Sequence, residues 1–302
     1  MRKLVKQNIL NVRNYVPGKP IEEVRRELGL KEVIKLASNE NCLGPSPKAL
    51  SAIKKSLSDI HRYPDGASFY LKNRLSKFLG VKGANIIIGN GSDEVITLAI
   101  KAFVHEGDEV VIARPTFLIY EIASQVQGAN IKFVPLKKDM RYDLPAMKAA
   151  VTDKTKIVFI ANPDNPTGTY VSKSELDAFL KGLRKDVIIF LDEAYFEFAY
   201  GRYKDYPNGM DYLSRPGIIV SRSFSKAYGL AGLRIGYGVA SEEVISCMDK
   251  VREPFNVNLL AQAAATAALD DNAFLLRSVA HVKKESEFLY SNLKKMGLRY
   301  MK

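Results

Sequence analysis

Short apolar runs alternate with amphipathic ones through the middle of the chain. Seven runs read as strands: residues 85–88, 109–113, 131–134, 156–160, 187–191, 217–220 and 234–239. Several are unbroken, such as Val187-Ile188-Ile189-Phe190-Leu191. That is the pattern of a strand covered on both faces, as in a mostly parallel sheet. Between them, apolar residues recur at helical spacing over 93–103, 117–127, 173–183 and 242–251. This alternation predicts an α/β layered domain with a mostly parallel seven-stranded sheet.

The flanks differ from the middle. The chain opens with a Pro/Gly-rich arm and then a helical run over 47–57. After Asn258 it reads as nearly continuous helix: an alanine-rich segment to Leu269, then 272–296. The expected division is an arm with part of a small domain (1–60), a large domain (61–257), and the helical start of a second small α/β domain (258–302). No internal repeat or low-complexity tract interrupts this plan.

Hydrophobic residues make up 47% of the 302, enough for a large core, and no stretch lacks them, which excludes a disordered chain. Lys+Arg 45 against Asp+Glu 33 leaves a net charge of +12. The basic residues are scattered as isolated doublets such as Lys54-Lys55 and Lys283-Lys284. They read as solvated helix faces with a mild attraction for anions, not as a nucleic-acid groove. Cys42 and Cys247 stand far apart, and His61, His105 and His281 lack ligand spacing. No metal site is expected, and a reducing compartment fits. The start has no signal-peptide core, and no apolar run is long enough to cross a bilayer. A soluble, cytoplasmic protein is therefore expected.

Four segments at strand ends carry chemistry. The first runs from Ser221 through Ser223, Ser225 and Lys226 to Arg234. A lysine amine condenses with an aldehyde, and hydroxyls with an arginine fork suit a phosphate. A lone Ser-x-Ser-Lys is more often a turn with a surface lysine. The second is Asp192-Glu193-Ala194-Tyr195, after an apolar strand. A buried carboxylate keeps a facing pyridine nitrogen protonated, although a helix cap is the ordinary reading of such an aspartate. The third is Asn162-Pro163-Asp164-Asn165-Pro166-Thr167-Gly168, a turn stiffened by two prolines that offers the Asn165 amide. The fourth, Gly89-Asn90-Gly91-Ser92-Asp93, leads into a helix whose first amides attract phosphate, or simply forms its cap.

Four such elements in this order resemble the fold-type I, pyridoxal-phosphate-dependent aminotransferases. The resemblance implies the aspartate-aminotransferase-like fold and pyridoxal 5'-phosphate as cofactor. It implies that Lys226 bonds covalently to the cofactor and moves the proton. Asp192 would pair with the ring nitrogen, and Tyr195 and Asn165 would meet the phenolic oxygen. Ser223, Ser225 and Arg234 would hold the phosphate, with backbone groups of Ser92 and Asp93. Phe117 takes the place of the aromatic stacked on the ring. Tyr63 matches a tyrosine that reaches the phosphate in the partner subunit, which implies a homodimer.

The arm narrows the resemblance. Tyr15-Val16-Pro17-Gly18 and Ser38-Asn39-Glu40-Asn41-Cys42-Leu43-Gly44-Pro45 look like the histidinol-phosphate aminotransferase subgroup, with Cys42 where proline is usual. Tyr15 and Asn39 would then touch substrate. The implied reaction moves an amino group between histidinol phosphate and 2-oxoglutarate. Members of that family continue past the last residue here, through strands that carry a substrate-binding arginine, so a truncated small domain is expected. Aromatic amino-acid aminotransferases and phosphothreonine decarboxylase-like enzymes share these motifs and are the alternatives. A chain that binds cofactor but turns over poorly is the alternative of another class.

Overall fold

The computed structural model describes residues 2–301. Its strands are β1 (Ile86–Gly89), β2 (Glu109–Arg114), β3 (Asn130–Pro135), β4 (Thr155–Ala161), β5 (Ile188–Asp192), β6 (Ile218–Ser223) and β7 (Gly236–Ala240). They form one sheet in the order β1-β7-β6-β5-β4-β2-β3. The five strands from β3 to β6 in that order are parallel. β7 runs antiparallel between β6 and β1.

The helices are α1 (Ile21–Leu28), α2 (Pro47–Ser56), α3 (Phe69–Leu79), α4 (Ser92–Phe103), α5 (Ile119–Gln127), α6 (Leu144–Ala149), α7 (Lys173–Leu180), α8 (Phe196–Ala199), α9 (Glu242–Asp249), α10 (Leu259–Ala268) and α11 (Asn272–Lys295). Around β1, α4 and α9 cover one side of the sheet and α2, α3 and α10 the other, and the period-two alternation of that strand shows how. Ile87 packs in the cluster that holds Val95 and Leu98 of α4 and Met248 of α9. Ile86 and Ile88 join Leu71 and Leu75 of α3, Ala49 of α2 and the alanines of α10. In β7 the same alternation puts Tyr237 and Val239 in the second cluster. Gly238 faces the first, where a Cβ would lie 2.7 Å from Val95 Cγ1.

α10 buries Ala261, Ala264, Ala265 and Ala268, a stripe at helical spacing that lets its backbone come close to its neighbours. α11 buries only Phe274 and Ser278. A shared cap ties it down: Ser46 caps α2 and donates to Asp271 Oδ2 at 2.6 Å, while Asp271 caps α11.

All seven expected strands form, with shifted ends. The run expected from 234 starts at Gly236, because Arg234 takes a left-handed conformation (φ 54°) that no strand continues. α7 stops at Leu180 rather than 183, because Lys181 is extended and Gly182 left-handed. α3 was not foreseen. Lys72, Arg74 and Lys77 are interleaved with its apolar positions, and only Leu71 and Leu75 are fully buried.

Candidate active site

The carboxyl ends of β4, β5 and β6 open on a cavity of about 530 Å³. Parallel strands aim their carboxyl ends the same way, so residues far apart in sequence meet there. β4 delivers Ala161 and then Pro163 and Asn165; β5 delivers Asp192, Ala194 and Tyr195; β6 delivers Ser223, Ser225 and Lys226. Phe117, after β2, and Ser92 and Asp93, after β1, complete the inner wall. Every site residue expected from sequence lines this cavity except Tyr63. Tyr63 is 82% exposed and stacks on Phe255 at 4.8 Å.

One end of the cavity suits an anion. Gly91 stands at the N-cap of α4, and no side chain caps that helix. Its first amides therefore lack a side-chain acceptor, and the helix dipole favours negative charge there. The capping role open to Ser92 and Asp93 is not realised. Asp93 instead accepts from Arg234 Nη2 at 2.9 Å. The left-handed turn at Arg234 lays its guanidinium over Gly91, and a Cβ on Gly91 would run into it. A Cβ on Gly236 would lie 2.6 Å from the Ser92 amide. Both glycines let the guanidinium and the first turn of α4 approach this corner closely.

The other end holds the carboxylate. Asp192 is buried and caps no helix; α8 begins at Phe196 behind an N-cap at Tyr195. Its Oδ1 accepts the Ala194 amide at 3.1 Å and its Oδ2 the Tyr120 hydroxyl at 2.6 Å. Burial pushes its carboxyl up to about 6 from 3.8, against the pull of those two donors. Beneath it, Arg222 makes paired bonds to Glu193 at 2.9 and 2.8 Å, another to Asn208, and lies over the Phe196 ring at 3.5 Å. This buried pair fastens the ends of β5 and β6 to each other.

Lys226 stands between the two ends. Its Nζ donates to the Ser38 carbonyl at 3.0 Å and lies 5.5 Å from the Tyr195 ring centre. Burial lowers its pKa, and Arg234 adds to this. A lowered pKa raises the share of free amine, the form that attacks an aldehyde. The arm forms the outer wall with Tyr15, Ser38, Asn39 and Glu40. Asn39 donates to the Tyr195 hydroxyl at 2.9 Å.

Comparison with known proteins identifies the kind of site. The family model described as aminotransferase class I and II matches residues 31–302. The chain is 50% identical, over 98% of its length, to the histidinol-phosphate aminotransferase of Moorella thermoacetica, and covers 76% of that protein. It is 52% identical to the enzyme of the same name from Brevibacillus brevis, covering 89% of this chain and 74% of that one.

The chain belongs to the class I and II aminotransferases.

The aminotransferase also superposes on the crystal structure of the Sinorhizobium meliloti histidinol-phosphate aminotransferase in complex with pyridoxal 5'-phosphate. The TM-score is 0.89 at 31% identity, over 99% of this chain and 80% of that one. The fold is also that of the Thermus thermophilus aspartate aminotransferase, with a TM-score of 0.84 at 21% identity over 98% of this chain and 82% of that one, and the cofactor is pyridoxal phosphate. The donor set fits that group: uncapped amides, hydroxyls and a guanidinium at one end, a buried carboxylate at the other, and an amine between.

Sequence reasoning missed Tyr120, which lines the aminotransferase cavity from α5, and Ser38 and Glu40 of the arm. Tyr120 follows Phe117 by one helical turn, yet in sequence it is indistinguishable from a core aromatic. Among the described residues no helix is long and apolar enough to cross a membrane, and no group of three metal-ligating side chains forms.

Proposed function

We propose that this aminotransferase transfers the amino group of L-histidinol phosphate to 2-oxoglutarate, and works as a cytoplasmic homodimer. The observation that carries the reading is the 50% identity, over nearly the whole chain, to an enzyme named for that substrate. The basic balance of the chain suits a phosphorylated amine and an oxo acid.

The residues take the following roles in this reading. Pyridoxal phosphate, when bound, supplies an aldehyde that takes up the amino group and a ring that draws electrons from the substrate carbon. Lys226 Nζ would hold the cofactor's aldehyde carbon, and its amine is the group placed to move a proton at the substrate carbon. Asp192 would pair with the ring nitrogen and favour its protonated form. Ser92, Asp93, Ser223, Ser225 and Arg234 form the phosphate corner. Phe117 would cover the ring face, and Asn165 and Tyr195 would meet its phenolic oxygen. Tyr15 and Asn39 close the side where substrate enters.

The test is the visible spectrum of the purified protein with cofactor. Histidinol phosphate should convert the aldehyde form to the amine form, and 2-oxoglutarate should restore it. Tyrosine and phosphothreonine serve as rival donors. A spectrum that responds to either rival but not to histidinol phosphate overturns the substrate assignment.

A further inference from the structure

Tyr120 is a large side chain with no exposed surface, yet it lines the cavity. It lies on α5, one helical turn beyond Phe117. Its ring stacks on Phe159 of β4 at 4.7 Å with the planes 10° apart. It meets Phe117 edge to face at 5.6 Å and 85°. Such aromatic pairs hold their geometry beyond simple apolar burial. Its hydroxyl donates to Asp192 Oδ2 at 2.6 Å. A phenol this deep needs a hydrogen-bond partner, and a carboxylate makes the bond short and strong.

We propose that Tyr120 is a positioning residue for the cofactor ring, its hydroxyl fixing the Asp192 carboxylate while its ring fixes Phe117. The proposal rests on the reading that Asp192 pairs with the ring nitrogen and Phe117 with the ring face. Asp192 is held at both oxygens, by the Ala194 amide on Oδ1 and by Tyr120 on Oδ2. Its plane is thereby set before any ligand arrives, and each oxygen keeps a further lone pair for the cavity. The hydroxyl also favours the ionised carboxylate against the effect of burial. Asp93 on α4 and Glu193 beside it oppose ionisation, while Lys226, across the cavity, is the cation coupled to Asp192. Tyr120 thus acts on ring protonation through Asp192 without touching substrate.

The experiment is Tyr120→Phe, alone and combined with Asp192→Asn, measured as cofactor affinity and as the pH midpoint of the bound cofactor's visible band. Tyr120→Phe keeps the ring and its packing and removes one oxygen. In the wild-type background the dissociation constant should rise about tenfold, the effect of one hydrogen bond to a charged group. The midpoint should shift, and kcat should fall while KM for the amino donor stays within about twofold. In the Asp192→Asn background the same change should have little further effect, because interacting residues are non-additive. Wild-type affinity and midpoint in Tyr120→Phe overturn the proposal, as do equal losses in both backgrounds. If Asp192→Asn itself leaves affinity and band unchanged, the assignment of Asp192 fails and this proposal fails with it.

Discussion

Asp192 is held where a carboxylate is expensive to keep ionised. Burial raises its pKa from 3.8 to about 6, so without cofactor the folded protein keeps, between those values, a proton that the unfolded chain has lost. Stability from this group is therefore full below about pH 4 and falls as pH rises through 6. By linkage the cost at neutral pH is about 3 kcal/mol. An asparagine removes that cost but leaves one of the two donors unpaired, about 1 kcal/mol. Cofactor-free Asp192→Asn should thus be more stable at pH 7 by about 2 kcal/mol in urea unfolding, an advantage that shrinks toward pH 4. An advantage that grows on acidification would contradict the buried, proton-gaining carboxyl. Lys226 is strained in the opposite sense, its amine being pushed toward the neutral form. In Lys226→Ala, borohydride should no longer fix cofactor to the chain. Activity should drop about 10³-fold or more, the usual weight of a positioned acid–base group. Undiminished borohydride labelling would move the covalent role to another lysine.

Elements bring these residues together, and their junctions are tight. Gly229 is left-handed (φ 70°), and a Cβ there would strike the carbonyl of Gly44 in the arm. The lysine loop and the arm therefore meet backbone to backbone. Gly229→Ala should cost about 2–4 kcal/mol from overpacking and backbone strain together. It should also speed proteolytic cleavage within the arm, since the arm's hold on the loop is lost. Unchanged cleavage with an unchanged urea midpoint would show that the two segments give way freely. Such backbone approaches are hard to read in a sequence, whereas the strands were plain in this one. Val187 to Leu191 has no other comfortable place than between neighbouring strands, and β5 duly forms over Ile188–Asp192. α3 was missed because its charges blur its period, and β7 was drawn too early because a single left-handed residue is invisible to hydropathy. Lys226, Asp192 and Asn165 stood out through their motifs. Tyr120 did not, because its role comes from a contact with Asp192, 72 positions away.

At the scale of the molecule, a group of exposed aromatics suggests a second copy of the chain. Ile60, Tyr63, Phe69, Tyr70 and Phe255 are all exposed, and Tyr63 and Phe255 stack on each other in the open. Exposed aromatics in a group mark an interaction surface more often than scattered ones do. Under the proposed dimer this face would meet its symmetry mate, and Tyr63 of one protomer would reach the phosphate corner of the other. A two-fold dimer then has two sites, each needing Lys226 from one protomer and Tyr63 from its partner. This arrangement can be tested by complementation between two defective variants. Tyr63→Ala and Lys226→Ala should each be nearly inactive as homodimers. Unfolded together in equal amounts and refolded, half the dimers should be mixed, each with one site intact. About a quarter of wild-type activity should return if association is random. The recovered activity should elute with the dimer on size exclusion and vanish on dilution to monomer. If the mixture is no more active than its parts, Tyr63 serves only the site of its own chain, or none.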